Sequence, residues 1–230
     1  MCLSIVSNKG KTTVGFNLDI LNMQYRVNAG DDRFYVEIYD QTEGWMPLFG
    51  ANARGEFVAM PTCWPYDSRS DYSEGAINVI NLDADLLLCK TTFADAVNTA
   101  RTKKICSVPG LTFQSQLSDK DGNVLQVVPG QGVEYKTKPE LSLMANFSLY
   151  KWDSETHPWM GLDRYKAAKK VLDDSKSVDY RECMSALAAA ANHDCPTVIS
   201  IVFVPSEMTV YYCLDMQYDK VYTHKIEVKA

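Results

Sequence analysis

Cys2-Leu3-Ser4-Ile5-Val6-Ser7 and Thr12-Thr13-Val14-Gly15-Phe16-Asn17-Leu18-Asp19 are two β-prone runs separated by Asn8-Lys9-Gly10-Lys11. Val, Ile, Thr and Phe suit a pleated surface, and an Asn/Gly junction between two such runs reads as a hairpin. The chain therefore enters a sheet at its second residue. That residue is a cysteine directly behind Met1, so trimming one methionine leaves a thiol and a free α-amine on the same residue. The α-amine has a reference pKa of about 7.7–8.0, near enough to neutrality to accept the thiol proton, and terminal-amine activation of a nucleophile is a variant of the Ser-His arrangement. The plainer reading is a small apolar residue opening a buried strand, since free Cys is among the most buried residue types.

Outward from this hairpin, strands are expected at 33–40, where Phe34, Val36 and Ile38 alternate with Tyr35, Glu37 and Tyr39, and at 45–49 and 56–60 around the turn Asn52-Ala53-Arg54-Gly55. A helical stretch is expected over 80–104, broken near Thr91-Thr92, where Thr92 can cap a second helix with Phe93, Ala96, Val97 and Ala100 on one face. Strands return at 111–117 and 123–128 around Ser118-Asp119-Lys120-Asp121-Gly122, then at 133–135 and 141–147. Helices follow at 161–173 and 178–192, and strands close the chain at 198–204, 208–215 and 220–228. Such blocks do not alternate as βαβ units do. They predict an α+β fold with two mostly antiparallel sheets carrying helices on their outer faces, in a single domain over 1–230.

The chain has 230 residues, 46% of them hydrophobic and 23% charged, an ordinary globular composition. A net charge of −6 and basic residues that come no denser than pairs such as Lys103-Lys104 argue against nucleic acid as a partner. Seven cysteines without paired spacing, and no signal peptide at the start, predict a reduced, cytoplasmic protein. The apolar stretches fall far short of the ~20 residues that cross a bilayer, so no membrane association is expected.

Several motifs fail on inspection. Gly10-Lys11-Thr12-Thr13 imitates the end of a phosphate loop, but the position required for its first glycine holds Ile5. Cys183, His193 and Cys195 lack a second Cys/His pair at zinc spacing, so no metal is expected, and no other cofactor either. His157, His193 and His224 have no GxSxG-type partner and read as surface or structural residues. What remains is polar residues inside apolar runs: Asp19, Asn52 and Asn146. At the edge of a core each must be hydrogen-bonded, in a turn or cap or in a functional site.

Together with Cys2, these residues resemble the cholylglycine hydrolase and penicillin V acylase branch of the N-terminal-nucleophile (Ntn) hydrolases, with the related isopenicillin-N acyltransferases and N-acylethanolamine acid amidases. The resemblance spans nearly the whole chain. Met1-Cys2-Leu3-Ser4-Ile5-Val6 looks like the family's start, Gly15-Phe16-Asn17-Leu18-Asp19 like its second-strand motif, and Gly50-Ala51-Asn52-Ala53-Arg54-Gly55 like its G-x-N-x-x-G turn. Leu143-Met144-Ala145-Asn146-Phe147 looks like the T-N-x-P region, and Leu162-Asp163-Arg164-Tyr165 like the S-R-[YF] helix start.

The resemblance implies a four-layer αββα sandwich and a linear-amide hydrolase that acts on a small N-acylated substrate without cofactor or metal. Relatives often form symmetric homo-oligomers. Cys2 is then the nucleophile and Asp19 orients its amine. Asn146 stabilises the oxyanion with a backbone N–H near Thr62, Asn52 belongs to the substrate side, and Arg164 is the positive charge beside the thiol. One position departs from the pattern: Phe16 stands where the family usually has arginine, so the site favours an apolar acyl group or has lost activity, with Arg26 the nearest basic substitute downstream. Two further readings follow. One is an acyltransferase variant; the other is a catalytically silent Ntn-fold module for ligand binding or assembly.

Overall fold

The computed structural model describes residues 2–41, 44–64, 73–108, 112–150 and 160–228. The opening hairpin forms as expected: β1 (Leu3–Ser7) pairs antiparallel with β2 (Thr13–Asp19). These two strands are central in a six-stranded antiparallel sheet completed by β12 (Leu141–Met144), β13 (Thr197–Val204), β14 (Thr209–Leu214) and β15 (Tyr222–Lys225), in the order β12-β1-β2-β13-β14-β15. The second sheet has seven strands: β3 (Tyr25–Gly30), β4 (Arg33–Asp40), β5 (Gly44–Asn52), β6 (Phe57–Ala59), β9 (Ser115–Ser118), β10 (Val124–Val128) and β11 (Gly132–Lys136), in the order β11-β10-β9-β6-β5-β4-β3. Two short strands, β7 (Ile77–Asn78) and β8 (Ile105–Cys106), pair in parallel beside it.

Each sheet carries a helix pair on its outer face. α1 (Val79–Leu87) and α2 (Phe93–Thr102) lie on the seven-stranded sheet, while α3 (Leu162–Asp174) and α4 (Tyr180–Ala189) lie on the six-stranded one. The expected break near Thr92 is real: its hydroxyl accepts from Asp95 N at 3.1 Å and caps α2. α4 is shorter than the expected 178–192, because an Asp179/Glu182 capping box starts it late. These layers make the αββα sandwich of the Ntn fold.

Side-chain alternation explains the layering. On β1, Leu3 and Ile5 belong to the apolar layer shared with α3 and α4, whereas Cys2 and Val6 belong to the core between the sheets. On β2, Val14, Phe16 and Leu18 enter that inter-sheet core, where the Phe16 and Phe49 rings lie 4.3 Å apart. A polar seam also crosses between the sheets. Lys136 Nζ donates to Gln126 Oε1 (2.9 Å), Gln126 Nε2 to Gln116 Oε1 (2.8 Å), and Gln116 Nε2 to Ser4 Oγ (2.9 Å), with Ser142 Oγ donating to Gln116 Oε1 (3.0 Å).

Three expectations change. The expected strand 141–147 stops at Met144, because Ala145 and Asn146 leave the ladder to meet a loop of the other sheet. The expected strand 111–117 begins only at Ser115, with residue 111 outside the described residues. β3 has no counterpart in the sequence reading, although its Tyr25, Val27 and Ala29 alternate with Arg26, Asn28 and Gly30 as a half-exposed edge strand does. Among the described residues no helix is long and apolar enough to cross a membrane.

Candidate active site

Four elements of the sandwich converge at the start of β1. Cys2 is buried there, Asp19 ends the neighbouring β2, Asn146 lies just past β12, and Arg164 occupies the first turn of α3. Arg164 heads the buried stripe Arg164, Ala168, Leu172, so helical periodicity drives its guanidinium inward. The helix enters through Gly161, which has φ +83; a Cβ there would lie 2.6 Å from Arg164 Nη2. Glycine lets the chain turn into the helix in the left-handed region while leaving space for the guanidinium.

The contacts form one network. Cys2 N donates to Asn146 Oδ1 at 2.7 Å, and Arg164 Nη2 donates to the same oxygen at 3.1 Å. Two donors on one oxygen fix which end of the carboxamide faces Cys2. Asn146 Nδ2 therefore points to Thr62, lying 3.0 Å from both its carbonyl oxygen and its Oγ1. Arg164 Nη1 reaches Asp19 Oδ2 at 2.5 Å, and the Thr197 hydroxyl donates to Asp19 Oδ1 at 2.6 Å. Gln114 supports the arrangement from below: its Nε2 donates to the carbonyls on either side of Asn146, those of Ala145 and Phe147.

Electrostatics follow from burial. Desolvation raises the Asp19 carboxyl to about 6, against the Thr197 hydrogen bond and the Arg164 charge, which pull it down. Burial also pushes the Cys2 thiol up; the Asp19 charge adds to that, while Arg164 opposes it. A thiol so placed is inert until a base removes its proton or solvent and charge around it change.

The structure thus brings together Cys2, Asp19, Asn146, Arg164 and Thr62. It does not bring in Asn52. Both donors of that amide serve Glu56 Oε2 (2.8 Å) and Leu86 O (2.8 Å), and its oxygen accepts from Arg54 N (3.0 Å) and Glu56 N (3.2 Å). Phe16 is fully buried against Phe49, where it packs the core. Arg26 does not substitute for a cation at Cys2: it lies on the edge strand β3, paired with Glu37 and stacked 4.3 Å over the Trp45 ring. His193 is exposed, His224 Nε2 lies 2.9 Å from Gly30 O, and His157 lies outside the described residues.

Thr197, Gln114 and Gly161 were not legible as site residues. Thr197 and Gln114 meet Asp19 and Asn146 only through sheet topology, and no spacing announces them. Gly161, three residues before Arg164, was the one local signal available.

No protein-family model matches the chain, and no curated protein sequence is significantly similar to it. Solved structures are similar. The C2A mutant of conjugated bile acid hydrolase from Clostridium perfringens superposes with a TM-score of 0.65 at 14% identity, covering 100% of this chain and 98% of that one. The Caenorhabditis elegans ortholog of N-acylethanolamine-hydrolyzing acid amidase gives 0.59 at 17% identity, covering 89% and 93%. Penicillin V acylase from Agrobacterium tumefaciens gives 0.57 at 12% identity, covering 93% and 83%. At these identities the likeness establishes a shared fold.

Proposed function

We propose that the chain, as one domain over 1–230, is a cysteine-nucleophile amidohydrolase that cleaves a linear amide in a small N-acylated molecule. The observation that carries the reading is the position of Cys2 N, 2.7 Å from Asn146 Oδ1 within a cluster that also holds Arg164 and Asp19. Once Met1 is removed, that nitrogen is the α-amine. It takes the thiol proton, the sulfur attacks the amide carbonyl carbon, and the carbonyl π electrons move onto oxygen. Asn146 Nδ2, which rests on both the carbonyl oxygen and Oγ1 of Thr62, donates one of its two hydrogens to that oxygen in place of Oγ1 while the other stays on the carbonyl. One such donor is worth about 2.7–4 kcal/mol in the barrier. The amine leaves with the proton, and water hydrolyses the thioester, restoring thiol and acid. Arg164 favours thiolate, and Asp19 holds Arg164.

An apolar acyl group suits the surroundings. Trp64, whose backbone N donates to Asn146 O, exposes 56% of its surface. Similarity to a conjugated bile acid hydrolase, an acid amidase and a penicillin V acylase supports the reaction class. No disulfide joins the cysteines among the described residues, which supports work in a reducing compartment such as the cytoplasm.

The test combines intact mass with turnover. Protein from its native host should lack Met1, hydrolyse members of a panel of N-acyl amines of graded chain length, and accumulate a thioester adduct at Cys2 on rapid quench. Cys2→Ala should abolish hydrolysis with the melting temperature within a few degrees. Retained Met1 with no turnover on the panel would replace this reading with a silent binding module; product formed only when a second amine is supplied would make it an acyltransferase.

A further inference from the structure

The two oxygens of the Asp19 carboxylate have different partners. Oδ2 faces Arg164, and Oδ1 receives the hydroxyl of Thr197 at 2.6 Å. Thr197 is buried, and its own oxygen is already engaged: Asn192 N donates to Thr197 Oγ1 at 2.9 Å. A hydroxyl has one proton, and with Asn192 N–H supplying the incoming bond, that proton is committed to Asp19.

The backbone reinforces this aim. Thr197 N donates back to Asn192 O at 3.0 Å, closing a loop between the end of α4 and the start of β13. Thr197 sits opposite Asp19 in the ladder, where a bulge shifts the register between Thr197 and Ile199. Bulges re-aim a side chain, and this one falls at the residue that meets the carboxylate.

We propose that Thr197 is a positioning residue whose hydroxyl, oriented by the Asn192 backbone, fixes the Asp19 carboxylate against Arg164 and thereby sets the charge beside Cys2. The inference rests on the reading of this cluster as the reactive site. Among the described residues, the charged and titratable groups acting on Asp19 are Arg164 from α3, Cys2 at the start of β1 and Tyr218 from beyond β14. The Thr197 hydrogen bond and Arg164, through both its charge and its own hydrogen bond, favour the ionised carboxyl.

The experiment uses the full chain with carbon-13 in the aspartate carboxyls, the Asp19 resonance being assigned by its loss in Asp19→Asn. Thr197→Val removes the hydroxyl at nearly constant volume, Thr197→Ala does so without the second methyl, and Thr197→Ser keeps it. The Asp19 titration midpoint should rise by about one unit in the Val and Ala variants and return toward wild type in the Ser variant. The acid limb of hydrolysis should follow it, with kcat falling while KM holds. A midpoint unmoved in folded Val or Ala protein overturns the proposal, as does failure of Ser to restore it. The two readings fail separately: a shifted midpoint in a chain that hydrolyses nothing keeps Thr197 and removes the hydrolase, whereas turnover with an unmoved midpoint does the reverse.

Discussion

Two clusters in this molecule are built from the same three functional groups, a carboxamide, a guanidinium and a carboxylate. At the start of β1, Asn146, Arg164 and Asp19 surround Cys2; at the turn after β5, Asn52, Arg54 and Glu56 join the two helices of the other sheet. The turn cluster spends its polar capacity on backbone. Asn52 and Arg54 reach Leu86 O, Arg54 also reaches Thr91 O, and Glu56 Oε1 accepts from Phe93 N at the start of α2. It fastens the end of α1 and the start of α2 to the sheet. The Cys2 cluster joins its groups to each other in the same way but directs them at a strand terminus carrying a thiol. An Asn-Arg-carboxylate set therefore says little by composition; what its members hold decides between a fastener and a site.

Paired substitutions test that contrast. Removing Arg164 should have the largest effect: Arg164→Met strands a buried carboxylate and should cost about 3–5 kcal/mol together with all measurable hydrolysis. Arg54→Met, at a part-exposed pair, should cost about 1–2 kcal/mol in urea melts and leave turnover per folded molecule unchanged. Equal losses of turnover would erase the distinction.

The asparagines come next. Asn146→Ala should lower kcat of the folded protein by about 10²–10³ and, by stranding Cys2 N and Arg164, also cost about 1–3 kcal/mol of stability. Asn52→Ala should lose stability of the same order, about 1–3 kcal/mol, with kcat retained.

At the glycines, Gly161→Ala carries a positive-φ strain of about 1–2 kcal/mol and also pushes on Arg164, so kcat should fall about 10-fold. Gly55→Ala has φ +77 and would place its Cβ 2.8 Å from Lys120 Cβ, an atom held by the backbone, so it should cost stability beyond the φ strain in thermal melts without the kinetic loss.

The mildest perturbation is pH. Asp19 titrates near 6, above its ordinary 3.8, so hydrolysis should halve near pH 6 as the carboxyl protonates and slackens its hold on Arg164. The stability sign is the reverse. With the folded pKa above the unfolded one, this group's contribution is fully present below about 3.8 and is lost as pH rises through about 6. A pH series of kcat/KM beside a series of urea midpoints separates the two.

Much of this is legible in the sequence. The opening hairpin, the break at Thr92 and the Val/Ile-rich β13 follow from strong local patterns, and they suffice for the layer order. Of the site residues, Cys2 was legible from its place directly behind Met1, Asp19 and Asn146 as polar residues that interrupt apolar runs, and Arg164 only through the family resemblance. Asn52 satisfied the same rule and joined a different cluster, because chain-local signals do not report partners more than 30 residues away, such as Leu86 and Phe93. Thr197 lies 178 residues from Asp19, and only the strand order brings them together.

The glutamine seam between the sheets has a mechanical consequence. Cys2 rides on one sheet, while Thr62 hangs from a loop of the other. Sliding one layer past its neighbour would break together the bonds Gln116–Ser4, Gln126–Ser142 and Ser142–Gln116 that cross from sheet to sheet. The seam thus works as a detent, indexing thiol and amide donor to each other across a gap that apolar packing alone would let drift.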